Sequence, residues 1–137
     1  MRSSDEHKDK TDDYTFPKNE KLCSLKLIEE LFRKGESHFL YPIKLLVLKR
    51  KEPLPSQPYP QVLFSVPKKN FKKAVDRNRI KRQLREAYRL NKNTFFKATH
   101  PEKNPLALAI IFVAREKIDF HTIEKKLILI LERLQGI

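Results

Sequence analysis

Eleven lysines and arginines fall between Lys68 and Lys92, against only two acids, Asp76 and Glu86. That segment is net +9 in a 137-residue chain whose total is +13, so all other residues together carry +4. A block of one sign repels itself unless a polyanion offsets it. From Arg77 to Arg89 arginine outnumbers lysine. Arginine is the better residue for forked contacts to phosphate and for stacking on bases. The chemistry on offer is therefore recognition of a phosphate backbone. No comparable set exists for bond-breaking chemistry: paired carboxylates, a histidine cluster and metal-ligand spacing are all missing from the pattern. Asp12, Asp13 and Glu20 lie in a polar stretch and read as solvated charge. The expectation is that the chain has neither catalytic residues nor a metal site of its own.

The cations are ordered. On a helical wheel with Ile80 at zero, Ala87, Leu84 and Tyr88 fall between about −20° and 80°. Lys81, Arg85, Asn78, Arg89, Arg82 and Arg79 follow from about 100° to 260°. One face is an apolar stripe suited to packing. The opposite face is basic, with the amide of Asn78 near its middle and Glu86 as the one diluting charge. Arg77 sits at the edge of the stripe, where its stem can pack while its guanidinium reaches outward. A face of mixed sign would read as ordinary solvated surface, whereas this one reads as an interaction surface.

Length and composition bound the rest. A chain of 137 residues is one domain. Charged residues make up 34% and hydrophobic residues 39%, and the pI is near 9.9. That is a small, cationic domain of the kind that binds nucleic acid. A membrane-surface protein would place bulky apolar residues opposite the basic face for insertion, and this short stripe reads as core instead. No apolar run reaches the length of a membrane span. The polar N-terminus has no apolar h-region, so no signal peptide is expected. Cys23 is the only cysteine, which excludes an internal disulfide or a cysteine-based zinc site. A reducing, cytoplasmic setting is expected.

The elements that must position the basic face follow from pattern. Residues 1–15 are expected to be a disordered polar tail, and 16–137 a single RNA-binding α+β domain. Ser24 can cap a first helix whose Leu25, Ile28 and Phe32, with Leu27 and Leu31, recur at helical spacing up to Gly35 at the C′ position. Ile43–Leu48 and Gln61–Val66 read as two strands, expected to form a hairpin across a loop with four prolines. Pro67–Lys73 is a basic turn and Ala74–Asn91 the basic helix. Asn93–Pro105 reads as a loop that can hold a helical turn at Phe95–Phe96. Leu106–Val113 is apolar throughout, as for a central strand buried on both faces. Asp119 can cap a last helix that carries Phe120, Ile123, Leu127, Ile130, Leu131 and Leu134 and ends at Gly136.

Phe64-Ser65-Val66-Pro67-Lys68-Lys69, then Ala74-Val75-Asp76-Arg77-Asn78-Arg79-Ile80-Lys81-Arg82 and Arg85-Glu86-Ala87-Tyr88-Arg89, closely resemble the protein subunit of bacterial ribonuclease P. Arg-Asn-Arg at the start of a basic helix, then Lys-Arg and Arg-Glu, is that family's pattern. Lys21-Leu22, Phe32 three residues before Gly35, and Val113-Ala114-Arg115 agree as well, so the resemblance spans about Lys21 to Leu134. Three positions depart from it. Pro67 stands where the family usually has Ser. Asn70-Phe71-Lys72-Lys73 replaces a glycine-containing turn and is one residue longer. Ile28 stands where a second aromatic is common, so no base stacking is expected there.

The resemblance implies a single α+β domain with a central mixed sheet of about four strands, flanking helices and a left-handed βαβ crossover through the basic helix. General sheet rules alone would give a right-handed crossover. It also implies a ribonucleoprotein endonuclease that removes the 5′ leader of precursor tRNA, with the RNA subunit as catalyst and Mg²⁺ bound mainly by that RNA. The implied partners are ribonuclease P RNA and precursor tRNA, with no membrane and no further protein required. The RNA-binding residues carried over are Lys68, Lys69, Lys72, Lys73, Arg77, Asn78, Arg79, Lys81, Arg82, Arg85 and Arg89. Asn78 can donate and accept at a base edge or 2′-OH, or serve as a helix-capping amide. Phe32 is the candidate for stacking on the single-stranded leader, although its helical apolar spacing favours core packing. Phe39 and Tyr41 lie near the start of the sheet and match no motif. A structural RNA-binding protein of the ribosomal type is the alternative, distinguished by the ordered register of the basic helix. A DNA-binding regulator fits less well, because a strand and a basic turn precede the helix where a partner helix would stand.

Overall fold

The computed structural model of the chain describes residues 21–49, 60–96 and 106–136. The expected tail at 1–15, most of the proline-containing loop and most of the loop after the basic helix lie outside the described residues. The elements are α1 (Leu25–Lys34), β1 (Glu36–Leu40), β2 (Ile43–Lys49), β3 (Gln61–Ser65), α2 (Ala74–Phe96), β4 (Leu106–Phe112) and α3 (Phe120–Glu132), which ends in a 3₁₀ turn, Arg133–Gly136.

The four strands form one mixed sheet in the order β1-β2-β4-β3. β1 pairs antiparallel with β2, and β2 antiparallel with β4. β3 and β4 run parallel, Val62 opposite Leu108 and Phe64 opposite Ile110. β4 is central because its side chains are apolar on both faces and six of its seven residues are buried. Two parallel neighbours need a long crossover, and the basic helix α2 supplies it.

The hairpin expected between β2 and β3 does not form, because β4 lies between them. Each of these strands gains more by pairing with the apolar β4 than with the other. The actual hairpin partner of β2 is β1, which the apolar pattern did not reveal. β1 begins Glu36-Ser37-His38 and is an edge strand with no buried residue, so its sequence carries little hydrophobic signal. It joins β2 through Tyr41 and Pro42, whose peptide bond is cis.

Helices cover both faces. On one side α2 and α3 bury Ile80, Leu84, Tyr88, Ile123 and Leu127 against Leu45, Phe64 and Ile110. On the other, α1 seats Leu31 over Leu46, Ala107 and Ala109, with Leu27 and Ile28 alongside. Both expected caps are present. The Ser24 hydroxyl accepts from the Leu27 amide at 3.3 Å, and the Asp119 carboxylate accepts from the Thr122 amide at 3.2 Å. The Thr122 hydroxyl and amide hold the Asp119 carboxyl below its ordinary range, so this cap persists in moderate acid.

Gly35 ends α1 for a different reason than left-handed backbone. Its φ and ψ are −63° and 147°, open to any residue, and its amide donates to the Leu31 carbonyl at 2.8 Å. A Cβ there would collide with that carbonyl oxygen, stand 3.0 Å from Leu31 Cδ1 and 3.3 Å from the Val47 carbonyl. The carbonyl of Leu31 in α1 itself is what demands glycine, and the Val47 carbonyl of β2 leaves little room for a shift. Gly35→Ala is expected to destabilise the domain by about 1–3 kcal/mol, the usual cost of overpacking. A shift in the denaturant midpoint checks this.

Candidate nucleic-acid interface

The basic helix is longer than its apolar pattern indicates, running 23 residues to Phe96. Its stripe packs as expected: Leu84, Ala87 and Tyr88 are fully buried and Ile80 nearly so. Phe64 meets Tyr88 edge-on, with ring centroids 5.9 Å apart. These contacts fix the rotation of α2 and so turn its opposite face to solvent. Lys92 belongs to the packed side. It lies one turn beyond Tyr88 and is fully buried, so its charge does not join the exposed surface.

The structure divides the eleven candidate residues into two groups. Lys68, Lys69, Lys72, Lys73, Asn78, Arg79 and Arg82 are exposed. They form one positive surface over the turn and the first three turns of α2. Asn78 stands in the second turn of the helix, away from the cap position, so its amide is not spent on capping. Arg77, Lys81, Arg85 and Arg89 are only partly exposed, and three of these have intramolecular partners. Arg77 Nη1 donates to the carbonyls of Phe71 and Lys72 at 2.8 and 2.9 Å. The Arg85 guanidinium lies 5.9 Å from the centre of the Phe64 ring. Arg89 grips Glu86 through Nε at 3.1 Å and Nη2 at 2.6 Å.

The hydrogen bonds from Arg89 hold the Glu86 carboxyl below its ordinary value, and the Arg89 guanidinium is correspondingly held more tightly protonated. The one acid on the basic face is thus neutralised by its own neighbour. The other acid of the segment, Asp76, sits in the first turn of α2, where a negative charge suits the helix dipole, and lies 3.4 Å from Lys117 Nζ. Both acids are offset locally, and the field of the exposed cations remains positive.

A second surface lies on the α1 side of the sheet. Phe32 on α1 is 49% exposed, which overturns the expectation of core packing. Leu31 takes the buried position beside it, against Leu46, Ala107 and Ala109. Phe39 on β1 is 56% exposed. It pairs across the strands with Lys44, on the sheet face that carries Leu46 and α1. Tyr41, 47% exposed, reaches the Glu116 carboxylate at 3.5 Å. Strand alternation would have placed Phe39 on this face had β1 been legible as a strand. Among the described residues, no three His, Cys, Asp or Glu side chains group so as to hold a metal ion. No helix of the described residues is long and apolar enough to cross a membrane.

Comparison with known proteins gives a consistent picture. The Ribonuclease P family model matches residues 16–135. A relative from Porphyromonas gingivalis, a Ribonuclease P protein component, is 34% identical over 119 residues, covering 87% of this chain and 85% of that protein. One from Chlorobium phaeobacteroides with the same description is 39% identical over 106 residues, covering 73% of each chain. Among solved structures, the RNase P protein from Thermotoga maritima superposes with a TM-score of 0.64 at 24% identity, covering 82% of this chain and 96% of that one. The Staphylococcus aureus RNase P protein gives 0.65 at 19%, covering 84% and 94%. At those identities the structural likeness establishes the fold.

Proposed function

The chain belongs to the ribonuclease P protein family, the protein component of an RNA-catalysed tRNA-processing enzyme, and from that premise we propose how its surfaces share the work. The exposed cations of the Pro67–Lys73 turn and α2 dock on the RNA subunit. The α1 face of the sheet receives the single-stranded 5′ leader of precursor tRNA. The observation that carries this reading is the arrangement on α2. A fully buried stripe opposes a solvent-facing set of Lys and Arg around Asn78, and both nearby acids are already paired. Release of counterions from neutralised phosphates drives such binding and makes it fall steeply with salt. Arg79 and Arg82 contact phosphates, and Asn78 a base edge or 2′-OH.

Bond cleavage belongs to the RNA subunit, together with the Mg²⁺ it holds. Among the described residues, no three His, Cys, Asp or Glu side chains group as ligands for such an ion. The protein's contribution is to offset phosphate repulsion between RNA subunit and substrate and to lengthen the substrate contact into the leader. The basic helix crosses between the parallel strands β3 and β4, and the family pattern supports a left-handed path for it.

Phe32 and Phe39 are the proposed stacking residues for the leader, with Lys44 beside Phe39 for its backbone. Stacking on an aromatic contributes about 1–3 kcal/mol per base. Phe39→Ala is therefore expected to weaken binding of leader-bearing precursor to the holoenzyme by about tenfold, and to leave binding of mature tRNA unchanged. Competition between the two substrates measures the ratio directly. The whole reading is tested by incubating the protein with a bacterial ribonuclease P RNA and a precursor tRNA at near-physiological Mg²⁺. Cleavage at the mature 5′ end that needs both components is expected. Tight, salt-sensitive RNA binding with no stimulation of cleavage would favour a structural RNA-binding protein.

A further inference from the structure

Arg77 opens the Arg-Asn-Arg pattern, yet its guanidinium turns back into the protein. Both hydrogens of Nη1 are spent, on the Phe71 carbonyl at 2.8 Å and the Lys72 carbonyl at 2.9 Å. The segment it holds is the turn that departs from the family pattern, one residue longer and without glycine. Three further contacts fix that turn. The Asn70 amide donates to the Pro67 carbonyl at 3.1 Å, and the Asn70 side chain donates to the Val113 carbonyl at 3.3 Å. Phe71 is buried, its ring 6.1 Å from that of Phe112. Lys68, Lys69, Lys72 and Lys73 project from this frame and are exposed.

We propose that Arg77 is a positioning residue, whose clamp on the Phe71 and Lys72 carbonyls sets the direction of the turn lysines, instead of a phosphate contact in its own right. A long turn without glycine has carbonyls that must find donors or water. A guanidinium supplies two donors from one nitrogen at fixed angles, which an ammonium cannot match. The clamp also removes conformers in which Lys72 and Lys73 point elsewhere, so their ordering is complete before RNA arrives. Arg77 thus acts through Lys72 and Lys73, and Arg79 and Arg82 act by direct contact. This assignment rests on the proposed RNA-binding role for the surface on which the lysines act, while the clamp itself is a property of the free protein.

The test has two arms, both on the full chain. Arg77→Lys keeps the positive charge and loses the fork. In the free protein, amide exchange by NMR is expected to accelerate at Asn70 and its neighbours in the turn, and to stay unchanged in β3 and β4. Unchanged exchange in the turn, or acceleration spread through the sheet, would overturn the clamp. In the second arm, affinity for ribonuclease P RNA is measured for Arg77→Lys, for Lys72→Ala with Lys73→Ala, and for all three together. Arg77→Lys alone is expected to weaken binding by about tenfold, the cost of ordering the two lysine side chains only when RNA binds. In the background lacking both lysines it should cost less than about twofold, within the scatter of independent sites. Equal losses in the two backgrounds would make Arg77 a direct RNA contact. Failure of the unaltered chain to bind this RNA would overturn the functional reading, and the exchange arm would still decide the clamp.

Discussion

Arg79→Glu together with Arg82→Glu is expected to weaken binding to ribonuclease P RNA by about a hundred- to ten-thousandfold. Each substitution removes a charge-assisted hydrogen bond of about 1.5–3 kcal/mol and places a like charge against phosphate. The slope of log affinity against log salt should also fall by about 1.5–2, since two phosphates no longer release their counterions. Both side chains are exposed on the face of α2 opposite Ile80, Leu84 and Tyr88. Thermal stability should therefore stay close to that of the unaltered chain, which separates loss of contact from loss of fold. Cleavage of precursor tRNA at low Mg²⁺ should disappear with RNA binding. Undiminished affinity and salt slope in this variant would show that the face does not meet RNA.

Leu84→Ala is expected to produce the complementary result. Leu84 is fully buried in the cluster that joins α2 to the sheet and to α3. Truncating a buried leucine costs about 2–5 kcal/mol, part transfer and part residual cavity. That is a large share of the roughly 5–15 kcal/mol that holds a domain together. The melting temperature should fall by about 10 °C or more. The basic face is untouched, so RNA affinity measured well below the melting temperature should change little. A loss of RNA affinity without a fall in stability would mean that α2 rotates to fill the void and carries Arg79 and Arg82 with it.

Arg77 and Lys92 show where linear reading of charge stops being enough. Both count as positive charge in sequence. One of them clamps a turn and the other is buried beside Tyr88. Neither outcome follows from helical phase alone, because each depends on what the neighbouring loop and sheet bring to that side of α2. Phe32 makes the same point in reverse. Its spacing belongs to the apolar set of α1, but Leu31 fills the space against Leu46, Ala107 and Ala109, and the Phe32 ring is left exposed.

What the sequence by itself determined is whatever short-range chemistry decides. It settled the register of the basic face on α2, the capping of α1 by Ser24 and of α3 by Asp119, and the burial of β4. It also carried the family pattern through Arg77-Asn78-Arg79. Periodicity, capping groups and charge blocks act between residues a few positions apart, so they are written in the chain directly. Strand order was decided only by the tertiary structure. β2 and β3 are the successive strands legible from apolar pattern, and a hairpin is the local expectation, yet β4 separates them because it can bury both of its faces there. The need for glycine at position 35 begins with the Leu31 carbonyl four residues earlier, and the approach of β2 tightens it, with the Val47 carbonyl 3.3 Å from where a Cβ would stand. Pairing partners, close approaches and the direction in which a guanidinium turns depend on segments far apart in sequence. Their free energies are settled when the layers pack.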